Sequence, residues 1–115
     1  MLSARWIPLL AAGLAGCVAA PAPVTPDPAL VQKIGTLMGG HPCAESIAGQ
    51  VAAYGVGANA VASVYQQPVQ DPNYFALSQR RVWVKLSGRP GSIVVQYDLT
   101  GCRIVSSYGA DGAGA

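Results

Sequence analysis

Residues 81–108 read RVWVKL SGRPG SIVVQYD LTG CRIVSSY, and apolar and polar side chains alternate through most of this stretch. Such alternation is typical of strands with one buried face. The segment between the first two strands, residues 87–91, carries glycine and proline, and the segment between the last two ends on Thr100-Gly101. Both compositions favour tight turns. The sequence therefore predicts a three-stranded antiparallel meander. The side chains expected on its inner face are Val82, Val84, Leu86, Ile93, Val95, Tyr97, Cys102, Ile104, Ser106 and Tyr108.

Two short helices are predicted upstream of the meander. Asp27-Pro28 and His41-Pro42 are typical helix starts, while Gly39-Gly40 and Gly55 are typical helix ends. Between these signals, apolar side chains recur at helical spacing, which predicts one buried face per helix. These side chains are Leu30, Val31, Ile34, Leu37 and Met38 in the first helix, and Cys43, Ile47, Val51 and Tyr54 in the second.

The middle of the chain is ambiguous. Asn59–Gln67 is interpreted as a third short helix that Asn59 caps, although alternation of Val61, Ser63 and Tyr65 would also suit a strand. Residues 68–73 are expected to form a loop, and Tyr74, Phe75 and Leu77 to dock on the core. The predicted architecture is thus α+β, with two or three short helices packed on a C-terminal three-stranded antiparallel meander.

The N-terminus has the composition of an export signal. Met1 to Arg5 carries one positive charge, and the ten residues Trp6–Ala15 are uncharged and mostly apolar. This run is shorter than the roughly 20 residues that span a bilayer. Leu14-Ala15-Gly16-Cys17 resembles a bacterial lipobox. The resemblance implies a signal peptide over 1–16, cleavage before Cys17 and acylation of that cysteine, for which palmitate is a label. An ordinary secretory signal cut after Ala20 is the alternative.

The lipobox resemblance also implies a location. In that class, acidic residues after the cysteine favour the inner membrane, whereas Val18 and Ala19 follow Cys17 here. We therefore expect the periplasmic face of the outer membrane, and the inner membrane less. Residues 17–28 are proline-rich and are interpreted as a semi-rigid tether. Residues 29–108 then form one small domain, and residues 109–115 a flexible tail.

Composition limits the partners of this domain. The 115 residues carry a formal net charge of +2, which falls to +1 without Arg5. So balanced a charge gives no reason to expect nucleic acid. No small-molecule substrate or cofactor is evident. The membrane, through the lipid on Cys17, and an envelope protein are the expected partners.

The cysteine count supports one disulfide. Cys17, Cys43 and Cys102 are present, and lipidation of Cys17 leaves two. Cys43 shares the apolar face of its predicted helix with Ile47 and Val51, and Cys102 shares the inner face of its predicted strand with Ile104. Both cysteines are therefore expected at the helix–sheet interface. In an oxidising compartment these two thiols are expected to pair.

No catalytic or metal-binding group is predicted. His41, Cys43 and Glu45 lie close in sequence, which could suggest a metal site or a Cys-His nucleophile. The disulfide is a better use of the cysteine, and a helix N-terminus explains Glu45 through the helix dipole. With no paired carboxylates or Ser-His-Asp set, we expect a protein that is not an enzyme.

One candidate contact face remains, on the outer side of the meander. Trp83 lies between Arg81 and Lys85, and Val94 is expected beside it on the next strand. An aromatic side chain flanked by cations suits a protein partner or a glycan. The alternative is that the third helix or residues 74–77 cover this face.

In length and element order the chain resembles the small outer-membrane assembly lipoproteins of the SmpA/OmlA class, which place two helices before a three-stranded meander behind a lipidated cysteine. It lacks that class's glycine-methionine-threonine segment, since residues 34–38 read Ile-Gly-Thr-Leu-Met. The resemblance implies a role in envelope assembly or maintenance. A protective inhibitor of a hydrolase such as lysozyme is the alternative, because such inhibitors are also small, exported and disulfide-bonded.

Overall fold

The computed structural model describes residues 20–67, 77–88 and 90–110 and contains helices and one sheet. The sheet is antiparallel, with its strands in the order β1-β2-β3-β4. The α+β class is confirmed, but the sheet has four strands where the sequence predicted three. The elements are α1 (Pro28–Leu37), α2 (Ala44–Ala52), a 3-10 helix (Ala58–Ala60), β1 (Val61–Gln67), β2 (Gln79–Leu86), β3 (Ser92–Asp98) and β4 (Arg103–Ala110).

The fourth strand, β1, occupies the region for which the sequence favoured a helix. Only Ala58–Ala60 is helical there, so that prediction was wrong. Pairing of β1 along β2 outweighs the weak local preference for a helix. The register shifts between Val61 and Ser63, which makes Ala62 an extra residue. For this reason Val61 and Val64 face the core, and the plain alternation expected for a strand is interrupted.

Local signals set the helix ends largely as predicted. The carbonyl of Asp27 accepts the first amide hydrogen bonds of α1, and Pro28 is its first residue. Gly39 and Gly40 end α1 in the left-handed region, with φ of 67° and 78°. Before α2, the Nδ1 atom of His41 accepts a hydrogen bond from the Cys43 amide at 3.0 Å. That bond satisfies one of the amides that a helix start leaves without a helical partner.

The core lies between the two helices and one face of the sheet. Each fully buried aliphatic side chain there contributes roughly 1.5–3 kcal/mol. The helical side chains include Leu30, Ile34, Ile47 and Val51, and the strand side chains include Val82, Val84, Ile93, Val95 and Tyr97. The strand residues that point the other way, such as Trp83 and Val94, are outside this cluster. The inner face of the sheet is therefore the one that the helices cover.

The strand β4 keeps the predicted phase only in its first half. Ile104 packs against the core, but the register shifts next, since Gln96 pairs with Ser106 while Tyr97 pairs with Ile104. The extra residue reverses the faces, so Ser107 is buried and Tyr108 lies on the outer face. The predicted inward orientation of Ser106 and Tyr108 was wrong for this reason.

The remaining predictions concern the segment before β2 and the two ends of the chain. Leu77 does not dock on the core, since its side chain is 72% exposed beside the start of β2. Tyr74 and Phe75, the signal peptide at 1–16, Cys17 and residues 111–115 lie outside the described residues. Gly109 and Ala110, expected in the tail, belong to β4. Within the described ranges, no helix is both long and apolar enough to cross a bilayer.

Candidate binding face and N-terminal strap

The outer face of the sheet carries an aromatic row across all four strands. Tyr65 pairs with Trp83, Trp83 with Val94, and Val94 with Tyr108. The tyrosines stand at the two sheet edges and are 59% and 46% exposed. We call these four residues the aromatic row. It brings the predicted contact residue Trp83 together with two aromatic side chains that the sequence reasoning did not assign to this face.

The centre of the aromatic row is partly buried. The Trp83 side chain is half-buried, and its Nε1 donates a hydrogen bond to Oε1 of Gln67 at 3.0 Å. Val94 is fully buried, although it points away from the helices. The prediction that Val94 itself contacts a partner is therefore corrected, because a fully buried side chain offers no surface. It supports the aromatic side chains on either side of it.

Polar and cationic side chains flank the aromatic row. On one side, Lys85 is exposed and lies in register with Ser63 and Ser92. On the other side, Arg81 is half-buried and lies in register with Gln67 and Gln96. These three register rows contain two cations and no carboxylate. The face can therefore offer apolar contact and the exposed charge of Lys85 together, while the contact role predicted for Arg81, Trp83 and Lys85 stays a prediction.

Within the described strands, a carboxylate is present at Asp98, at the end of β3. The Thr100 amide donates a hydrogen bond to Asp98 at 2.9 Å, and Arg103 forms an ion pair with it at 3.4 Å. The Thr100 amide lowers the pKa of the Asp98 carboxyl most, with help from Ser78 and Arg103 and against a smaller effect of desolvation. Asp98 thus serves the turn rather than the aromatic row.

The disulfide between Cys43 and Cys102 is confirmed. It joins the start of α2 to the β3–β4 turn, with 5.1 Å between the two Cα atoms. Cys102 precedes β4 rather than lying within it, and its φ of 52° is left-handed. Both sulfur atoms are in the covalent bond, so neither cysteine is available as a nucleophile or metal ligand.

His41 and Glu45 do not form a site with that disulfide. The His41 ring meets the buried Tyr97 ring edge-on, with 5.7 Å between centroids, while Glu45 is exposed. Burial raises the pKa of the Tyr97 hydroxyl, and Arg80 opposes this in part. Among residues 20–67, 77–88 and 90–110, no three His, Cys, Asp or Glu side chains are grouped as metal ligands would be.

The proline-rich segment before α1 makes specific contacts with the domain. The Val24 amide donates a hydrogen bond to the Gly49 carbonyl at 3.1 Å, and the Pro21 carbonyl accepts one from Nε2 of Gln50 at 2.8 Å. We call residues 21–26 the N-terminal strap. The sequence analysis assigned them to a tether separate from the domain. These hydrogen bonds to α2 extend the folded unit toward Pro21.

A buried polar network fixes the strap to both helix and sheet. Gln50 is 1% exposed, and its Nε2 also donates to Oγ of Ser107 at 2.9 Å. The Tyr54 hydroxyl forms a hydrogen bond with the same Ser107 oxygen at 2.9 Å. The sequence reasoning missed this network. A signal was present, since Gln50 lies three residues after Ile47, on the apolar face of α2, where a polar side chain needs a partner.

The described part of the chain includes two shallow clefts that could admit a small molecule. One has a volume of about 290 Å³ and is lined by Tyr54, Leu86, Pro90–Ile93 and Gly109–Ala110. The other has a volume of about 410 Å³ and is lined by α1 residues, including Lys33, and by Ala58 and Asn59. Neither lining holds a carboxylate or histidine that could act as a general acid or base.

No protein-family model, no curated protein and no solved structure matches this chain. Its function is therefore inferred from its own residues.

Proposed function

We propose that this chain is a lipid-anchored, non-enzymatic protein of the cell envelope that binds a partner protein through the aromatic row and its flanking cations. The anchor would be Cys17, and the location the periplasmic face of the outer membrane. A role in envelope assembly or maintenance is proposed from the resemblance in length and element order to the SmpA/OmlA class, in which two helices precede three strands, whereas four strands follow the helices here.

The sequence of the leader supports the anchor. Leu14-Ala15-Gly16-Cys17 follows a charged start and a short apolar run at the spacing of a lipoprotein signal. The disulfide between the other two cysteines adds support, because it is typical of exported domains. It also leaves Cys17 as the one cysteine without a disulfide role.

The anchor is tested by replacing Cys17 with serine. The Cys17→Ser protein should lose incorporation of radioactive palmitate and should leave the membrane fraction or remain uncleaved. The Cys43→Ser protein is the matched control and should still be labelled. Normal membrane recovery of the Cys17→Ser protein, without label, would exclude the lipid anchor.

The observation that carries the binding proposal is the aromatic row. Tyr65 and Tyr108 leave about half of each side chain exposed on a face that the helices do not cover. Tyrosine and tryptophan are enriched at the energetic centres of protein interfaces. The exposed Lys85 favours a partner that places acidic side chains beside an apolar anchor.

Affinity capture with paired variants tests this binding face. Mature protein, the double variant Tyr65→Ala/Tyr108→Ala and the control Gln32→Ala/Thr36→Ala on exposed α1 positions would each be incubated with detergent-solubilised envelope. We expect the unchanged protein and the control to retain the same envelope protein, and the tyrosine variant to lose it. Equal capture by all three would contradict the proposal. Capture of added lysozyme in place of an envelope protein would favour the inhibitor alternative.

A further inference from the structure

We infer that the N-terminal strap holds the domain directly against the bilayer, with the β4 edge of the sheet toward the lipid and the β1 edge away from it. This inference rests on the proposed lipid anchor at Cys17. It adds an interaction surface, whose partner is the lipid headgroup layer, and an orientation for the aromatic row.

The strap is built into the domain and does not merely lie near it. Two of its backbone groups, the Val24 amide and the Pro21 carbonyl, form hydrogen bonds to α2. A Cβ on Gly49 would lie 2.8 Å from the Val24 carbonyl oxygen, closer than such atoms approach. The absence of a side chain at Gly49 thus allows the strap to come this close. The strap ends at Pro21 as part of the folded unit.

The chain between the strap and the lipid is short. Only Val18, Ala19 and Ala20 separate Cys17 from Pro21. Four fully extended residue steps span at most about 14 Å. The lipidated cysteine lies at the membrane surface, so Pro21 must lie within that distance of it. A domain held this closely cannot rotate freely above the bilayer.

The position of Pro21 decides which edge faces the lipid. Nε2 of Gln50 binds both the Pro21 carbonyl and Oγ of Ser107, so Pro21 lies beside β4. Tyr108 follows Ser107 on the same edge strand, whereas Tyr65 lies at the opposite end of the aromatic row on β1. Three strand spacings, about 14 Å, separate the two tyrosines. The strap therefore brings Tyr108 nearer to the lipid than Tyr65.

The aromatic row supplies a matched pair of probes. In a Trp83→Phe background, which removes the other tryptophan of the mature chain, Tyr108→Trp and Tyr65→Trp each place one reporter at one edge of the same face. The lipidated proteins would be reconstituted into vesicles of phosphatidylethanolamine and phosphatidylglycerol that contain a lipid with a nitroxide-labelled headgroup. Unchanged melting temperatures would show that both variants are folded.

We expect the tryptophan at 108 to lose more of its emission to the nitroxide than the tryptophan at 65. Insertion of twelve glycine and serine residues between Ala20 and Pro21 should remove this difference, because the domain could then rotate. Equal quenching at both positions with the natural tether would overturn the orientation while leaving the anchor intact. Failure of the protein to associate with the vesicles at all would overturn the anchor and the orientation with it.

Discussion

The Val24 amide donates a hydrogen bond to the Gly49 carbonyl at 3.1 Å, and the Val24 carbonyl oxygen lies 2.8 Å from the place of a Cβ on Gly49. A glycine within a helix normally costs stability, because it loses more backbone freedom on folding than other residues. At Gly49 that cost is offset by the strap, which approaches α2 more closely than any side chain would permit.

Gly49→Ala should therefore destabilise the domain or detach the strap. In an unobstructed helix the same change stabilises by roughly 0.5–1 kcal/mol. For Gly49→Ala we expect urea unfolding to show a lower free energy of unfolding. We also expect faster proteolysis before Asp27. Gly57→Ala is the control, since a Cβ there meets nothing within 4 Å, and it should shift stability by less than about 0.5 kcal/mol. A stabilising Gly49→Ala would refute the close approach.

Loss of Gln50 should weaken the link between strap, helix and sheet. Gln50→Ala removes the donor to the Pro21 carbonyl and to Ser107 within a buried site. We expect a loss of about 2–3 kcal/mol in the free energy of unfolding, because buried polar groups are left without partners. Gln32→Ala, at an exposed position on α1, should change it little. Equal effects of the two changes would count against the network.

Breaking the disulfide should cost a large part of the stability of this small domain. The bond links residues 59 apart in sequence, and the chain-entropy argument gives about 4 kcal/mol for a loop of that length. Cys102→Ser should lower the denaturation midpoint accordingly. Alkylation of unreduced, denatured mature protein should find neither Cys43 nor Cys102 free. Modification of both thiols without reductant would contradict the bond.

Stability should fall in acid partly through Asp98. Its pKa in the folded domain is lowered below the ordinary value of 3.8, mainly by the Thr100 amide. A lowered pKa means that the stabilisation is present above about pH 4 and is lost as the pH falls through the folded value. Asp98→Asn keeps the shape of the side chain and removes the titration. In thermal melts from pH 7 to pH 2, the melting temperatures of the two proteins should converge at low pH. A difference in melting temperature that stays constant with pH would argue against this role.

Sequence reasoning predicted the parts of the fold in which local pattern and tertiary position agree. Strands β2 and β3 alternate without interruption, so Val82, Val84 and Ile93 were assigned to the correct face. It failed where one extra residue breaks the alternation, after Val61 in β1 and after Ile104 in β4. Such register shifts depend on pairing with a neighbouring strand, which a single-sequence pattern does not contain.

The same shifts explain how much of the candidate binding face was predicted. Trp83 and its flanking cations were found because β2 is regular. Tyr108 was missed because it follows an extra residue, which moves it to the outer face. Tyr65 was missed because its segment was interpreted as a helix, and the extra residue at Ala62 also breaks the strand alternation before it. The contacts of Pro21 and Val24 could not be derived from composition. Proline-rich segments of the same composition can either pack on a domain or extend away from it.

The extra residues in β1 and β4 also affect how neighbouring copies of the protein can contact one another. Both strands are the outermost in the sheet, and each has an interrupted hydrogen-bonding edge. With the lipid anchor proposed at Cys17, copies of the protein would share a two-dimensional surface, on which neighbouring copies meet repeatedly. A regular outer strand would then be a template for adding strands from another copy, whereas an interrupted one resists this. The irregularities that obscured the fold from its sequence are thus expected to keep neighbouring copies of the protein from joining edge to edge.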